Sequence, residues 1–242
     1  MKEKQNMKRD IILLIVVVVL LPSIVFGREW HVDASAAANG ADGSAEKPYA
    51  TIQAGVNAAK PGDTVLVAPG DYASGSVDLR GDGSQSRVAF DGKTNITVRS
   101  TCGKALTHIV GAAGAGEESC GAGAVRCIIA RASTNVVVSG FTLRDGHTQL
   151  PGGDFYAGRA GAVLVAESNY EKGNAGLWLV DCVVSNCSAQ YYGAISGGGA
   201  VRCLFSENTS SKSSSVALRS IMAHCDKRQC RHQLRFIPDD TV

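Results

Sequence analysis

Aromatic side chains are scarce in this chain, at 6% of residues with only two Trp, and Met and Pro number just three and six. So few large side chains beside 28 Gly argue against a thick globular core and for a chain of many turns. Apolar runs of bilayer-spanning length are missing too, since the one unbroken stretch, Ile11 to Leu21, has eleven residues. No CxxC pair supports a zinc site, so no metal is expected, and no nucleotide-binding glycine loop, nucleophile elbow or metal-ligand helix occurs. Charge imbalance is also lacking. The formal +2 comes from residues 1–27, and residues 28–242 hold 20 basic and 20 acidic side chains. That balance gives no electrostatic case for nucleic acid or an anionic membrane as partner.

What the chain does have begins with an export pattern. Lys2, Lys4, Lys8 and Arg9 precede the apolar run, and Pro22 leads to Val25-Phe26-Gly27, a cleavage-like end, so residues 1–27 read as a signal peptide. No membrane span is expected after its removal. The expected location is secreted, periplasmic or outer cell surface.

The organising stretch is 176 to 208, because it repeats itself. Cys182-Val-Val-Ser185-Asn186-Cys187 returns 21 residues later as Cys203-Leu-Phe-Ser206-Glu207-Asn208, and Ile221-Met222-Ala223-His224-Cys225 begins a third copy 22 residues after Cys203. Short β-prone runs separated by Gly, Ser and Asn at this period are the signature of a solenoid, whose coils bury an apolar face only by stacking. The fold class expected is therefore all-β, a parallel β-helix over residues 28–225, with about six or seven coils and a length on the order of 30 Å.

Upstream, Trp30 to Asp33 is a short strand candidate. Residues 48–60 form the one convincing helix, with Ile52, Val56 and Ala59 on one face, Thr51 as cap and Pro61-Gly62 as stop. A lone amphipathic helix ahead of a strand ladder is expected to cap the first coil. Further strands are read at 63–72, 87–90, 95–100, 126–130, 135–143 and 162–166. The largest loops are 101–125 and 144–161, where solenoids carry binding surface. Asn95, Asn186 and Asn208 read as turn residues or members of stacked amide rows.

The leading segment PYATIQAGVNAAKPGDTVLVAPGDY resembles that of right-handed parallel β-helix proteins, the pectin-lyase-like superfamily. Gly198 to Val201 followed by Phe205-Ser206-Glu207-Asn208 is similar to repeats of polymorphic outer-membrane proteins and related autotransporter passengers. Together the likenesses cover roughly residues 30 to 225. They imply a right-handed helix but not one function, since the superfamily holds lyases, hydrolases, adhesins and surface proteins.

Cys182, Cys203 and Cys225 are expected to stack as an inward thiol ladder, with Cβ atoms near the strand spacing of about 4.8 Å, slightly beyond what a disulfide wants. Cys102 and Cys120 bracket a Gly- and Ala-rich excursion that a bridge would hold, with Cys127 as the competing partner. Asp181, Arg202 and His224 each precede a repeat cysteine and so form an outward row, either a polysaccharide-engaging face or a solvated ladder pairing adjacent coils. The loop from Arg144 to Arg159 gathers Asp145, His147, Asp154, Tyr156 and Arg159, and is read as a structural or generic binding loop. Superfamily lyases hold calcium on an acidic cluster beside a Lys or Arg base. Here no acidic rows recur on successive strands, so no cofactor is expected unless the chain is such a lyase. The function expected is non-catalytic binding of a polysaccharide or a surface protein, with a polysaccharide lyase or hydrolase as the alternative.

Glycine stops at Gly199, and residues 226–242 turn to Arg- and Gln-rich text without strand pattern. Rewriting Cys225 onward in permitted codons with two bases restored yields Cys-Val-Ile-Ser-Asp-Asn, the coil motif in register. Residues 226–242 therefore read as an out-of-frame, disordered tail on a truncated chain, whose missing remainder would carry any active site or anchor.

Overall fold

The computed structural model describes residues 27–37, 39–116, 120–148, 156–166, 176–213, 216–218 and 220–228. The signal segment before residue 27, Asp154 and the tail beyond 228 lie outside these. The described residues hold twenty strands and one helix, α1 (Ile52–Ala58).

The strands, numbered in chain order, stack into three parallel sheets. The first holds, in order, β1 (Glu29–Val32), β2 (Thr64–Val67), β5 (Thr94–Ser100), β8 (Thr134–Ser139), β11 (Leu177–Val180), β15 (Gly199–Val201) and β19 (Ile221–Ala223). The second runs β3 (Gly70–Tyr72), β6 (Thr107–Val110), β9 (Thr142–Arg144), β12 (Val183–Ser185), β16 (Leu204–Ser206) and β20 (Asp226–Arg228). The third runs β4 (Gln85–Asp91), β7 (Val125–Arg131), β10 (Val163–Ala166), β14 (Ile195–Ser196) and β18 (Ala217–Leu218). A two-stranded piece, β13 (Ser188–Ala189) with β17 (Thr209–Ser210), follows the second sheet. The chain visits the three sheets in turn, and each strand pairs with its equivalent one coil later: a parallel β-helix.

The interior is built from register rows. Val65, Val98, Val138, Leu179 and Ala200 stack from the first sheet; Tyr72, Ile109, Leu143, Val184 and Phe205 from the second; Val88, Ile128, Val163 and Ile195 from the third. All are buried. Fully burying each such side chain is worth about 1.5–3 kcal/mol against leaving it in water, which one coil alone cannot achieve. The next register position in the second-sheet row, after Phe205, is Lys227. Asp226–Arg228, placed above at the start of the tail, thus pairs with Leu204–Ser206 as a strand.

The corner from first to second sheet explains the repeat motif. Gly140, Asp181, Arg202 and His224 all adopt left-handed φ, from 51 to 77°. Each turn then delivers Phe141, Cys182, Cys203 or Cys225 toward the interior. The same corner splits the single strand read over 135–143 into β8 and β9, because Gly140 at φ 77° reverses the chain there.

The leading motif has a local reason as well. Asp63 accepts the amides of Arg28 (2.8 Å) and Lys60 (2.9 Å) and the Trp30 indole (2.9 Å), tying the start of the first coil to the turn after the helix. Burial pushes this carboxyl up, but those hydrogen bonds outweigh it and leave it below the usual carboxylate range. The Tyr72 hydroxyl donates to Ala68 O (2.9 Å) across the next corner, and burial lifts its pKa to about 12. Helix α1 is shorter than the span 48–60 because Tyr49 is engaged as a bridge to Val32 and Ala59 is already extended ahead of Pro61. Thr51 caps it by accepting from Ala54 N (3.2 Å). Ile52 and Val56 are buried, and Gly55 approaches so closely that a Cβ there would meet Val65 and Val32 at 2.7 and 2.9 Å. The helix therefore seats on the first coil's interior row.

Candidate functional site

Corners between first and second sheets are mostly two residues, whereas the connections from second to third sheet are long: 73–84, 111–124 and 145–162, then 186–194 and 207–216. They stack on one side of the helix. Here the structure gathers side chains from four loops.

The Arg80 guanidinium lies over the Tyr156 ring (4.9 Å), Arg159 lies over Tyr156 (5.8 Å) and Tyr192 (5.5 Å), Tyr192 meets Tyr191 (6.5 Å between centroids), and the Lys212 ammonium sits over Tyr191 (5.8 Å). Arg80 is also held by Asp82 at 2.9 Å. The line runs along the helix axis, from the loop before β4 to the loop before β18. Its backbone is fixed: Tyr191 N donates to Gly158 O (2.9 Å), Ala160 N to Tyr191 O (3.0 Å), Gly161 N to Gly193 O (2.8 Å) and Tyr192 N to Ser213 Oγ (3.0 Å). Tyr192 is held at φ 59°, a conformation that bulky residues rarely adopt and that persists only where the surroundings impose it.

Beneath this line lies Arg126, 1% exposed. Among the described residues no carboxylate hydrogen-bonds it. Its guanidinium donates to Ala160 O (2.7 Å), Arg159 O (2.9 Å), Ala157 O (3.4 Å) and Ser86 Oγ (3.4 Å), which pins the 156–160 segment. Burial lowers its pKa to about 10, so it stays charged at neutral pH. Ala89, Ile129, Ala160, Leu164 and Ala166 form a small apolar cluster beside it, covered by Val77, Leu79 and Tyr156.

The loop 144–159, read above as one gathering, is divided. Asp145 sits at a left-handed corner (φ 56°) on the second-sheet side, bonded to Arg144 (2.5 Å) and to Asn186 Nδ2 (2.6 Å). Arg144 in turn reaches Asp71 (3.0 Å), and Asp71 meets His108 Nδ1 at 2.6 Å. His108 above all, then Arg144, holds the Asp71 carboxyl below its ordinary range. This is a partly exposed charged ladder across coils on the outer face of the second sheet. His147 faces the other way: it is buried, with Nδ1 2.6 Å from Ser188 Oγ, and the Cys120 sulfur lies 3.6 Å from the same hydroxyl and 3.7 Å from Thr148 Oγ1. Burial lowers the His147 pKa, the neighbouring Asp145 opposing. Of the described residues of that loop, Tyr156 and Arg159 join the aromatic line.

Asp181 and Arg202 form a bidentate pair across coils (2.8 and 2.6 Å), and His224 follows them exposed at the same corner. Cys102 is exposed and Cys120 is buried beside Ser188, each as a free thiol. They lie on different sides of the helix, one at the first-to-second corner and one in the second-to-third loops. Cys182 and Cys203 are buried and Cys225 partly so, each sulfur on the carbonyl two residues before it (3.3, 3.3 and 3.4 Å). Asn95 accepts from Asn135 Nδ2 (2.7 Å), and buried Asn208 donates to Val184 O (2.9 Å) while accepting from Cys187 N (3.1 Å), as turn and stacked-amide residues do.

Sequence reasoning misses Arg80, Arg126, Tyr191, Tyr192 and Lys212, and also Asp71 and His108. Only Tyr191-Tyr192 carries a signal, a doublet of large rings in a repeat otherwise made of small residues. Among the described residues no three His, Cys, Asp or Glu side chains gather as metal ligands, and no helix is long and apolar enough to cross a membrane. Comparison with protein-family models, with curated proteins and with solved structures finds no match to this chain.

Proposed function

We propose that this chain is an exported or cell-surface β-helix protein that binds an extended glycan, without catalysis, along the edge where its long loops stack. The observation that carries the reading is the line from Arg80 through Tyr156, Arg159, Tyr192 and Tyr191 to Lys212. Aromatic faces stack on the C–H faces of sugar rings, and guanidinium and ammonium groups donate to hydroxyls, so alternating rings and cations along one axis suit a linear chain of sugars. Tyr192 in its strained conformation supports the reading, since ordering a ring in advance reduces the entropy lost on binding. The export pattern in residues 1–27 and the resemblance of the leading segment to pectin-lyase-like proteins agree with it.

The test is a glycan panel of neutral and uronic-acid polysaccharides probed with the wild type, Tyr191→Ala and Tyr192→Ala. We expect retained wild-type binding to at least one linear polymer and a loss of about tenfold in each variant, as for removal of one stacking ring worth about 1–1.5 kcal/mol. Equal binding by all three proteins overturns the site. New reducing ends, or the ultraviolet absorbance of an unsaturated uronate appearing with calcium, overturns the non-catalytic reading in favour of a lyase or hydrolase.

A further inference from the structure

The first coil holds a nearly enclosed carboxylate whose hydrogen-bond donors are uncharged. Asp63, 8% exposed on the turn ahead of β2, accepts from Arg28 N (2.8 Å), Lys60 N (2.9 Å) and Trp30 Nε1 (2.9 Å), two backbone amides and an indole. Enclosing an anion among neutral partners is costly, and a cation in contact with it offsets that cost. Of the three donors, the Arg28 nitrogen is the one that export would turn into a cation, because the cleavage-like Val25-Phe26-Gly27 ends at the bond before it. The chain's entry to the coil is equally specific. Gly27 runs so close to the turn that a Cβ on it would collide with Gly62 O and lie 2.9 Å from Asp63 N. Arg28 O accepts Thr64 N (3.0 Å), and Glu29 is in register with Thr64 as β1 pairs with β2. The Arg28 guanidinium lies over the Trp30 ring, 3.7 Å from its centroid, beside the indole that shares Asp63. Arg28 is thus fixed through its nitrogen, its carbonyl and its side chain.

We propose that Asp63 is the receptor for a processed N-terminus: removal of residues 1–27 leaves an α-ammonium on Arg28, which stays on the Asp63 carboxylate as a partly buried ion pair and locks the first coil. The nitrogen is already in place, so the new charge adds Coulomb attraction to a hydrogen bond that exists and orders nothing further. The pair would also fasten the turn that follows α1, since Lys60 N donates to the same carboxylate and Asp63 N donates back to Lys60 O (3.0 Å). The inference rests on the export part of the reading above and not on glycan binding.

The step is hydrolysis by a peptidase of the export machinery. Water attacks the Gly27 carbonyl carbon, and the bond to the Arg28 nitrogen breaks. The water oxygen remains on Gly27 as part of a carboxylate, and at neutral pH both water protons end on the nitrogen, which becomes an ammonium group. Because Arg28 N and Arg28 O are both engaged in the closed coil, the cut precedes closure, and the new terminus docks as β1 adds to β2.

The test has two arms. In the first, the protein recovered after export from a secreting host is sequenced from its N-terminus, and Arg28 is expected as the first residue. In the second, two purified wild-type chains are melted side by side: 28–242, released from a fusion by a protease that leaves Arg28 first, and 22–242, in which Arg28 N remains an amide. The shorter chain is expected to melt higher by about 3–6 °C. Its α-amine should resist reductive methylation, mapped by mass spectrometry, until denaturant is added, and Asp63→Asn in the same chain should open it to the reagent. A first residue other than Arg28 overturns the processing step. Equal Tm values, or rapid methylation of the native α-amine, overturn the receptor, and the two wild-type chains decide this even if Asp63→Asn fails to fold.

Discussion

The two corners flanking the second sheet solve the same problem differently. On the first-to-second side, a left-handed residue and an inward one suffice, and Asp181-Cys182, Arg202-Cys203 and His224-Cys225 repeat the solution almost unchanged. On the second-to-third side the chain leaves in long loops, and there a buried arginine, a strained tyrosine and a line of rings and cations are found. Regularity marks the side that only has to turn the chain, and departures from the repeat mark the side on which groups are held at a cost. A strained φ or a buried charge is retained only where the surroundings over-determine it.

The comparison breaks most decisively at Arg126. Arg126→Met keeps the volume but strands the carbonyls of Ala157, Arg159 and Ala160, so a loss of about 3–5 kcal/mol is expected in chemical denaturation, together with loosening of the loop 156–160 in hydrogen exchange. Unchanged stability would show that the loop side is not held from beneath. The helix supplies a contrast of comparable size, since Val56→Asp buries a charge against the first coil. It should cost on the order of 3 kcal/mol or more and yield aggregated protein on size-exclusion chromatography.

A smaller effect belongs to His147. Its folded-state pKa is lowered from 6.5 by burial, so the unfolded chain takes up the proton first. Stability is then complete above about pH 6.5 and declines as pH falls through 6.5 toward the lower folded value. Melting curves of the wild type against His147→Gln should diverge in that window, and parallel curves would contradict the buried hydrogen-bonded ring. Thiol labelling sharpens the corner side: in the native state Cys102 should react quickly and Cys182 and Cys203 only after denaturant, because the first is exposed and the others buried. The smallest change is Ala132→Gly. Ala132 is exposed at φ 48° and stacks on Gly92 at φ 60°, so glycine should stabilise by about 1 kcal/mol, read as a rise in Tm.

Much of the regular side is legible from text alone. The cysteine period identifies the stacking, and the alternation around it tells Val184 and Phe205 from their outward neighbours. Helix α1 is readable from Ile52 and Val56, although its limits depend on the bridge from Tyr49 to Val32. The loop side is not readable in the same way. Arg126 sits in a run, Val125 to Ala130, that marks only a strand, and no pattern says that one wall of this strand is roofed by a loop. Asp145, His147, Tyr156 and Arg159 are close in sequence and part company in space, whereas Asp71 and Arg144 are 73 residues apart and in contact.

The stacked parallel coils follow from the text alone. These rest on local alternation, on turn residues and on a repeat that must bury its apolar face against a copy of itself. Which side chains meet on the loop side depends on the three-dimensional packing. Coils of unequal length are brought into register by strand hydrogen bonds and not by sequence spacing, so contacts such as Arg80 with Tyr156 are a product of which loops come to lie side by side along the axis.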